Sequence, residues 1–382
     1  MRNLVALLRR VWALEAESSP SDRCVAFASI SGEAQSFFLR ESGRIEMLQP
    51  QTEDLQASSL DLQLFLDLRE FVEPSGTDED SAGCWKWMNY VAELGMLVCA
   101  STSGALVTVD VDAIDGEEVG AVDVGLRALA WSGNQEMLAL VTGTGRLLVM
   151  SNDWEVLHET EIESCLPSDV MLSHSTKDDE HWRCELCWRE DSQFVALNIA
   201  TKAKPKGETQ VGNDVAVQKV LVFTAQLEFH ALGRLEDGRA ITKLGSALDW
   251  SQSMSLIASC ETRRSRLFVV FFERNGLRHG EFEIPSVYRP PAYRVGSLRW
   301  NVSSDILAVS LLPTSIGEEN GDVRQSVVQL WTRNNYHWYL KQELRLGVEN
   351  QLVDFAWDEE AAGRPNARNC NYNIRLNQPK VD

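Results

Sequence analysis

An apolar residue, any residue, then tryptophan: this short pattern recurs as Leu129-Ala130-Trp131, Leu186-Cys187-Trp188, Leu248-Asp249-Trp250, Leu298-Arg299-Trp300 and Phe355-Ala356-Trp357. Met88-Asn89-Tyr90 fits the same slot with tyrosine. Six residues after each complete slot an apolar pair begins: Met96-Leu97, Met137-Leu138, Phe194-Val195, Leu256-Ile257 and Ile306-Leu307. Eight residues after the four central tryptophans stands alanine, at 139, 196, 258 and 308. The physical content is a strand ending in Trp, a polar turn such as Ser132-Gly133-Asn134 or 301–305, and a second strand with Ala at a crowded position. A third apolar strand follows in each unit, at 147–150, 220–223, 267–272 and 327–331. Each then meets a turn (Asn152-Asp153, Thr224-Ala225, Asn275-Gly276, Asn334-Asn335) and an outgoing strand. Four antiparallel strands per unit is the plan of a propeller blade, so the expected fold class is all-β, a WD40-like β-propeller.

The sharpest of these units is 267–283, LFVVFFERNGLRHGEFE. Asn-Gly between two strand-like runs predicts a two-residue turn, because both central residues need positive φ and these two tolerate it. Before the first aromatic slot, 24–48 reads as strand, turn, strand, turn, strand, a blade missing its first strand. With the five complete units this makes six, and 352–357 starts a seventh. Pairing that late strand with the N-terminal ones would close a ring and remove exposed sheet edges. Seven blades are expected, with six as the alternative. The acidic stretch 51–81 holds a strand in the alternation Leu60, Leu62, Leu64, Leu66, Leu68. Surplus length sits in polar loops at 201–214 and 313–322, read as excursions in preference to partner contacts. The propeller is expected over 1–357. Residues 358–382, polar and without periodicity, are expected to be a disordered tail or the start of a further domain.

Composition narrows the function. A formal charge of −20 argues against general attraction to nucleic acid. Between Arg263 and Arg299 that balance reverses locally, with eight arginines against three glutamates, which reads first as a solvated rim. The apolar run 4–8 is cut by Arg9-Arg10 and is too short for a secretory h-region. The eight cysteines are scattered rather than dense, which points to reduced thiols in the cytoplasm, with the nucleus as a second compartment. No run is long enough to span a membrane, so no membrane partner is expected.

The motifs of catalysis are missing. His181, Cys184 and Cys187 have zinc-like spacing, but on a strand ending at Trp188 the two thiols face opposite ways and cannot meet around one ion. Gly143-Thr144-Gly145 joins two strands and leads into no helix, so it is a hairpin turn rather than a phosphate loop. Neither GxSxG nor HExxH occurs, and no carboxylate pair is distinctive. No enzyme, cofactor or metal is expected. What remains are hairpin tips with more polar and aromatic character than a turn requires: Arg274, Asn275, Arg278 and His279 on one, and Asn334, Asn335, His337 and Trp338 on the next. These are the candidate partner-binding residues.

Residues 268–283, FVVFFERNGLRHGEFE, and 330–343, LWTRNNYHWYLKQE, resemble the largest subunit of the Elongator complex, the IKAP family, as does the start Met1-Arg2-Asn3-Leu4. The resemblance covers roughly 1–357. It implies a tandem pair of WD40-type propellers, followed by a helical repeat region and a C-terminal dimerisation region, of which this chain would supply the first propeller. It further implies a noncatalytic scaffold of the complex that modifies the wobble uridine (U34) of certain transfer RNAs, the acetyl-CoA and radical-SAM chemistry belonging to a separate subunit. Other Elongator subunits would then be the partners, and transfer RNA would be touched only indirectly or weakly. Two other classes stay open: an unrelated binding propeller that reads a peptide or modified protein tail, and a propeller hydrolase with acidic residues converging in its channel.

Overall fold

The computed structural model describes residues 9–15, 22–30, 35–48, 62–72, 84–122, 124–167, 172, 182–203, 215–235, 238–239, 247–314, 317–319, 322–346, 351–357 and 372–378. Contacts divide the chain into two compact units, one of Met1–Leu126, Gly317–Ser326 and Leu346–Asp382, the other of Arg127–Ile316 and Val327–Arg345.

The first unit carries two four-stranded sheets in plain chain order. The first sheet is Cys24–Ser29, Ser36–Arg40, Arg44–Leu48 and Leu62–Asp67; the second is Trp85–Val91, Met96–Ser101, Ala105–Asp110 and Asp115–Ala121. The first sheet therefore lacks no strand. The leucine alternation inside the acidic stretch supplies its outer member; Leu66 is buried while Leu64 is exposed, because the ladder shifts register between Ile45 and Glu46 and the strand changes face there. Phe37, Leu39 and Ile45 of this sheet pack with Leu97, Val107 and Val109 of the second in one core, each at 0 % exposure. Burying a side chain of that kind is worth roughly 1.5–3 kcal/mol, and the inner strands concentrate it.

This unit also holds a three-stranded sheet ordered Arg9–Glu15, Tyr372–Gln378, Gln351–Trp357. The early and late strands do share a sheet, but through an intermediary, with 372–378 parallel to the first and antiparallel to the second. Sequence reading put 372–378 in a polar tail without periodicity. Tyr372, Ile374 and Leu376 in fact alternate with polar residues, and a strand of seven residues forms on that short signal. Residues 358–371 lie outside the described residues.

The second unit carries four sheets of the repeated plan. The third sheet is Leu126–Trp131, Met137–Thr142, Arg146–Ser151 and Val156–Glu161; the fourth is Trp182–Trp188, Phe194–Ala203, Val215–Thr224 and Phe229–Arg234. The fifth is Leu248–Trp250, Ile257–Arg263, Arg266–Phe272 and Arg278–Glu283; the sixth is Tyr293–Trp300, Ile306–Pro313, Val327–Asn334 and His337–Arg345. Of the two polar excursions, the first is a continuation of its hairpin, paired as far as Ala203 opposite Val215, with 204–214 outside the described residues. The second contains a small ladder of its own, Gly317–Glu319 with Asp322–Arg324.

The alanines at 139, 196, 258 and 308 are at most 1 % exposed, the crowded position the repeat implies. Four residues after each of the four central tryptophans stands a residue in the left-handed region: Gln135, Ser192, Met254 and Ser304, φ 56–61°. Each closes the same turn. At three of the four, the polar residue after Trp accepts the backbone N–H five positions on: Ser132 Oγ from Met137 at 3.0 Å, Ser251 Oγ from Leu256 at 3.0 Å, Asn301 Oδ1 from Ile306 at 3.0 Å. The sheets join through such groups as well. Trp188 Nε1 donates to Ala130 O at 3.0 Å, and Ser304 Oγ accepts Ser253 N–H at 2.8 Å.

The outgoing hairpins depart from expectation in an informative way. At Asn275-Gly276 only the glycine has positive φ, 78°. Gly276 N–H returns to Glu273 O, Glu273 N–H reaches across to Leu277 O, and the ladder shifts register between Phe271 and Phe272. This is a type I turn followed by a left-handed residue and a bulge, in place of the two-residue turn that Asn-Gly suggests. Trp154 and Leu227 take the same position in the third and fourth sheets. The two-residue turn is found instead one position beyond the predicted Asn334-Asn335, at Asn335-Tyr336, where φ is 46° and 67°.

Candidate functional site

In a four-stranded meander the first and third connections emerge at one end of the sheet and the second at the other. The post-Trp turns and the outgoing hairpins of the second unit therefore share an end. There the fourth, fifth and sixth sheets line a groove of about 520 Å³ with Arg189, Met254, Ser255, Leu256, Glu273, Arg274, Asn275, His279 and Arg333.

Of the residues singled out in the sequence, Arg274, Asn275 and His279 line this groove. Asn275 is held by its own turn, its Oδ1 accepting Leu277 N–H at 2.9 Å. His279 is the centre of a short chain. Its Nδ1 lies 3.1 Å from Glu273 Oε1 and its Nε2 lies 3.3 Å from Arg333 Nη2. An arginine can only donate, so Nε2 accepts and Nδ1 carries the proton toward Glu273.

Arg278 is turned away from the groove. With Arg263 it grips two carboxylates: Glu261, whose side chain is 1 % exposed, at 2.7 Å from Arg278 and 3.6 Å from Arg263, and Glu281, which both guanidiniums also meet. These guanidiniums hold the Glu281 carboxyl below its ordinary range against the opposing effect of burial, while the two carboxylates raise the Arg278 guanidinium. Arg266 pairs with Glu283 at 2.7 Å and Arg299 with Glu185 at 3.9 Å. Much of the local arginine excess is thus neutralised.

Asn334, Asn335 and His337 are exposed at the neighbouring hairpin tip and do not line the groove. Trp338 is half-buried, its ring stacked on Phe271 with centroids 4.6 Å apart. Its aromatic face belongs to the core around Trp300, Phe282 and Trp331. Cys184 and Cys187 pack against different clusters, on opposite faces of their strand.

Among the groove residues that went unremarked in the sequence are two arginines, Arg189 and Arg333. Arg189 was legible: it occupies the post-Trp position where the other central units have Ser, Ser and Asn. Unable to accept a hydrogen bond, it grips Asp191 with Nε at 2.7 Å and lays its guanidinium 4.4 Å from the Phe194 ring. Arg274 approaches the same ring, at 4.7 Å. Arg333 contacts the Tyr336 ring, at 5.2 Å. Among the described residues neither Arg274 nor Arg333 has a carboxylate partner.

A model of the family described as the ELP1 first N-terminal beta-propeller matches residues 1–173 and 164–360. Elongator complex protein 1 of Rattus norvegicus is 30% identical over 314 residues, 75% of this chain and 22% of the relative. That of Schizosaccharomyces pombe is 27% identical over 408 aligned positions, 95% of this chain and 28% of the relative. The chain thus spans about a quarter of the length of these curated relatives. A chain in the crystal structure of a mitotic checkpoint complex superposes with a TM-score of 0.54 at 11% identity, covering 88% of this chain and 81% of that one, a likeness of fold.

Proposed function

Since this chain belongs to the family of ELP1 first N-terminal beta-propellers, we propose that it is a noncatalytic scaffold part of the Elongator complex, holding other subunits in place for modification of the transfer RNA wobble uridine. The observation that carries this is the family match over 1–360, in which both motifs of the resemblance lie. In this reading the first propeller takes in 1–357 together with the strand Tyr372–Gln378, and the three-stranded sheet stands as its seventh blade. The chain works in the cytoplasm, with the nucleus as a second compartment. Transfer RNA is touched weakly or through the partners, consistent with a charge of −20.

The contact surface is the hairpin end of the second unit, where Arg274, Asn275, His279, Asn334, Asn335 and His337 are exposed beside one another on successive sheets. Arg278 and Trp338 support these tips from behind, through Glu261 and Phe271. The test is Arg274→Glu combined with His337→Glu in the full-length protein, followed by co-purification of the complex and measurement of wobble-uridine modification. Loss of a subunit with reduced modification is expected; unchanged assembly and modification would remove the hairpin end from the interface. The groove favours one alternative, that this propeller reads a peptide or protein tail instead of holding Elongator subunits. Retrieval of this chain without any Elongator subunit would support that instead.

A further inference from the structure

The groove contains a charge pattern at odds with the chain that carries it. We propose that it takes an acidic peptide segment of a protein partner, one carboxylate bound by Arg274 and Arg333 and an adjoining apolar side chain resting on Met254 and Leu256. This rests on the hairpin end being a protein-contact face and names the chemistry of what it contacts.

Three features support it. Arg274 and Arg333 have no carboxylate partner among the described residues, whereas Arg263, Arg266, Arg278, Arg189 and Arg299 are all matched to one. In a chain with 56 acidic side chains against 36 basic ones, two unmatched guanidiniums in one groove are a local reversal of sign. Both are also pre-positioned. Arg274 lies over the Phe194 ring that Arg189 also approaches, and Arg333 is fixed by His279 and by the Tyr336 ring. Guanidiniums already held by rings and by an imidazole nitrogen lose little freedom when a carboxylate arrives, and retain N–H groups for a two-pronged contact.

The third feature is the wall of the groove. Met254, 42 % exposed in its left-handed turn position, adjoins the charged rim, so acidic and apolar groups can be satisfied together. Glu273 is the one carboxylate in the lining and is committed to His279 and Asn275. A nucleic acid strand is disfavoured. It brings a charge every few ångströms along a chain of −20, while the groove offers room for one or two.

The probe is a fluorescein-labelled GEELEEG peptide, its GQQLQQG counterpart and an oligo-uridylate of equal charge, titrated against the 382-residue chain by fluorescence anisotropy in about 50 mM salt, where surface charge is weakly screened. The acidic peptide is expected to bind about tenfold or more tightly than the glutamine peptide, and to lose about tenfold or more on Arg274→Glu with Arg333→Glu. Arg264→Glu with Arg266→Glu, at the opposite end of the fifth sheet, is expected to leave binding unchanged. Arg274→Lys with Arg333→Lys keeps the charge and loses the fork, so an intermediate affinity supports the geometry without risk to the fold. Equal binding of both peptides, or equal loss from the opposite-end variant, would overturn the proposal. Tighter binding of the oligo-uridylate through the same two arginines would replace the peptide with RNA. Co-purification tests the protein contact whatever its chemistry, so the two readings fail separately.

Discussion

Trp338 lies flat against Phe271, the ring planes 9° from parallel and the centroids 4.6 Å apart. Phe271 is in the third strand of the fifth sheet and Trp338 in the outer strand of the sixth, so one aromatic contact ties two successive sheets together near their hairpin ends. Trp338→Ala should cost about 2–4 kcal/mol, near the lower end for buried aromatic truncations because the ring is half-buried, whereas Trp338→Phe should cost about 1 kcal/mol. Urea unfolding followed by circular dichroism measures both. A neutral alanine variant that failed to bind a partner would return Trp338 to the contact surface.

The carboxylate of Glu261 lies under two guanidiniums, at 2.7 Å and 3.6 Å. Glu261→Gln leaves Arg278 and Arg263 with a neutral partner beside Glu281 and should destabilise the chain by about 2–4 kcal/mol. Arg266→Gln breaks only an exposed pair with Glu283 and should cost under about 1 kcal/mol. Denaturation midpoints of the two variants, compared in one buffer, give the ranking.

Burial pushes the Asp249 carboxyl up to about 6, against the pull of Arg299 and of the Trp300 N–H that Oδ2 accepts. A folded-state value above the ordinary one means the folded chain holds its proton longer. Asp249 therefore favours folding below about pH 4 and opposes it increasingly as pH rises toward 6 and beyond. Asp249→Asn should flatten that dependence, gaining on the order of 1–2 kcal/mol relative to wild type between pH 4 and 7 after allowance for solvent screening. Parallel pH series of urea melts would show it, and identical slopes would reject it.

Tyr336 holds φ 67° and is 84 % exposed, so its backbone is strained with only the Arg333 contact in return. Tyr336→Gly creates Asn-Gly at the two-residue turn and should stabilise by about 0.5–1 kcal/mol. The opposite sign is expected at Gly276, where φ is 78° and a Cβ would meet Leu232 O at 2.6 Å. Gly276→Ala should cost about 2 kcal/mol or more. Thermal melts of the pair decide it.

The repeated plan was readable because Trp, the six-residue step and the eighth-position alanine all report inner strands, where packing leaves little choice of residue. Turn geometry was read less well. Asn275-Gly276 has the composition of a two-residue turn, yet its glycine serves the bulge position that Trp154 and Leu227 fill elsewhere, so the repeat outweighs the local dipeptide preference. The strand 372–378 was missed because three alternating apolar residues among polar ones are a weak signal, and its partners lie far off in sequence. Arg274, Asn275 and His279 were found from the tip they occupy; Arg333 was not, since nothing local shows that it faces a histidine on the next sheet.

The parallel ladder between Arg9–Glu15 and Tyr372–Gln378 joins stretches separated by nearly the whole chain. A pairing of that span carries the greatest loop-closure cost of any among the described residues and is rewarded only after the intervening sheets exist. During synthesis the first of these strands must wait, its ladder unformed, until the last has left the ribosome. The hairpin sheets can each fold as they emerge, which makes this seam the last of the described pairings to form.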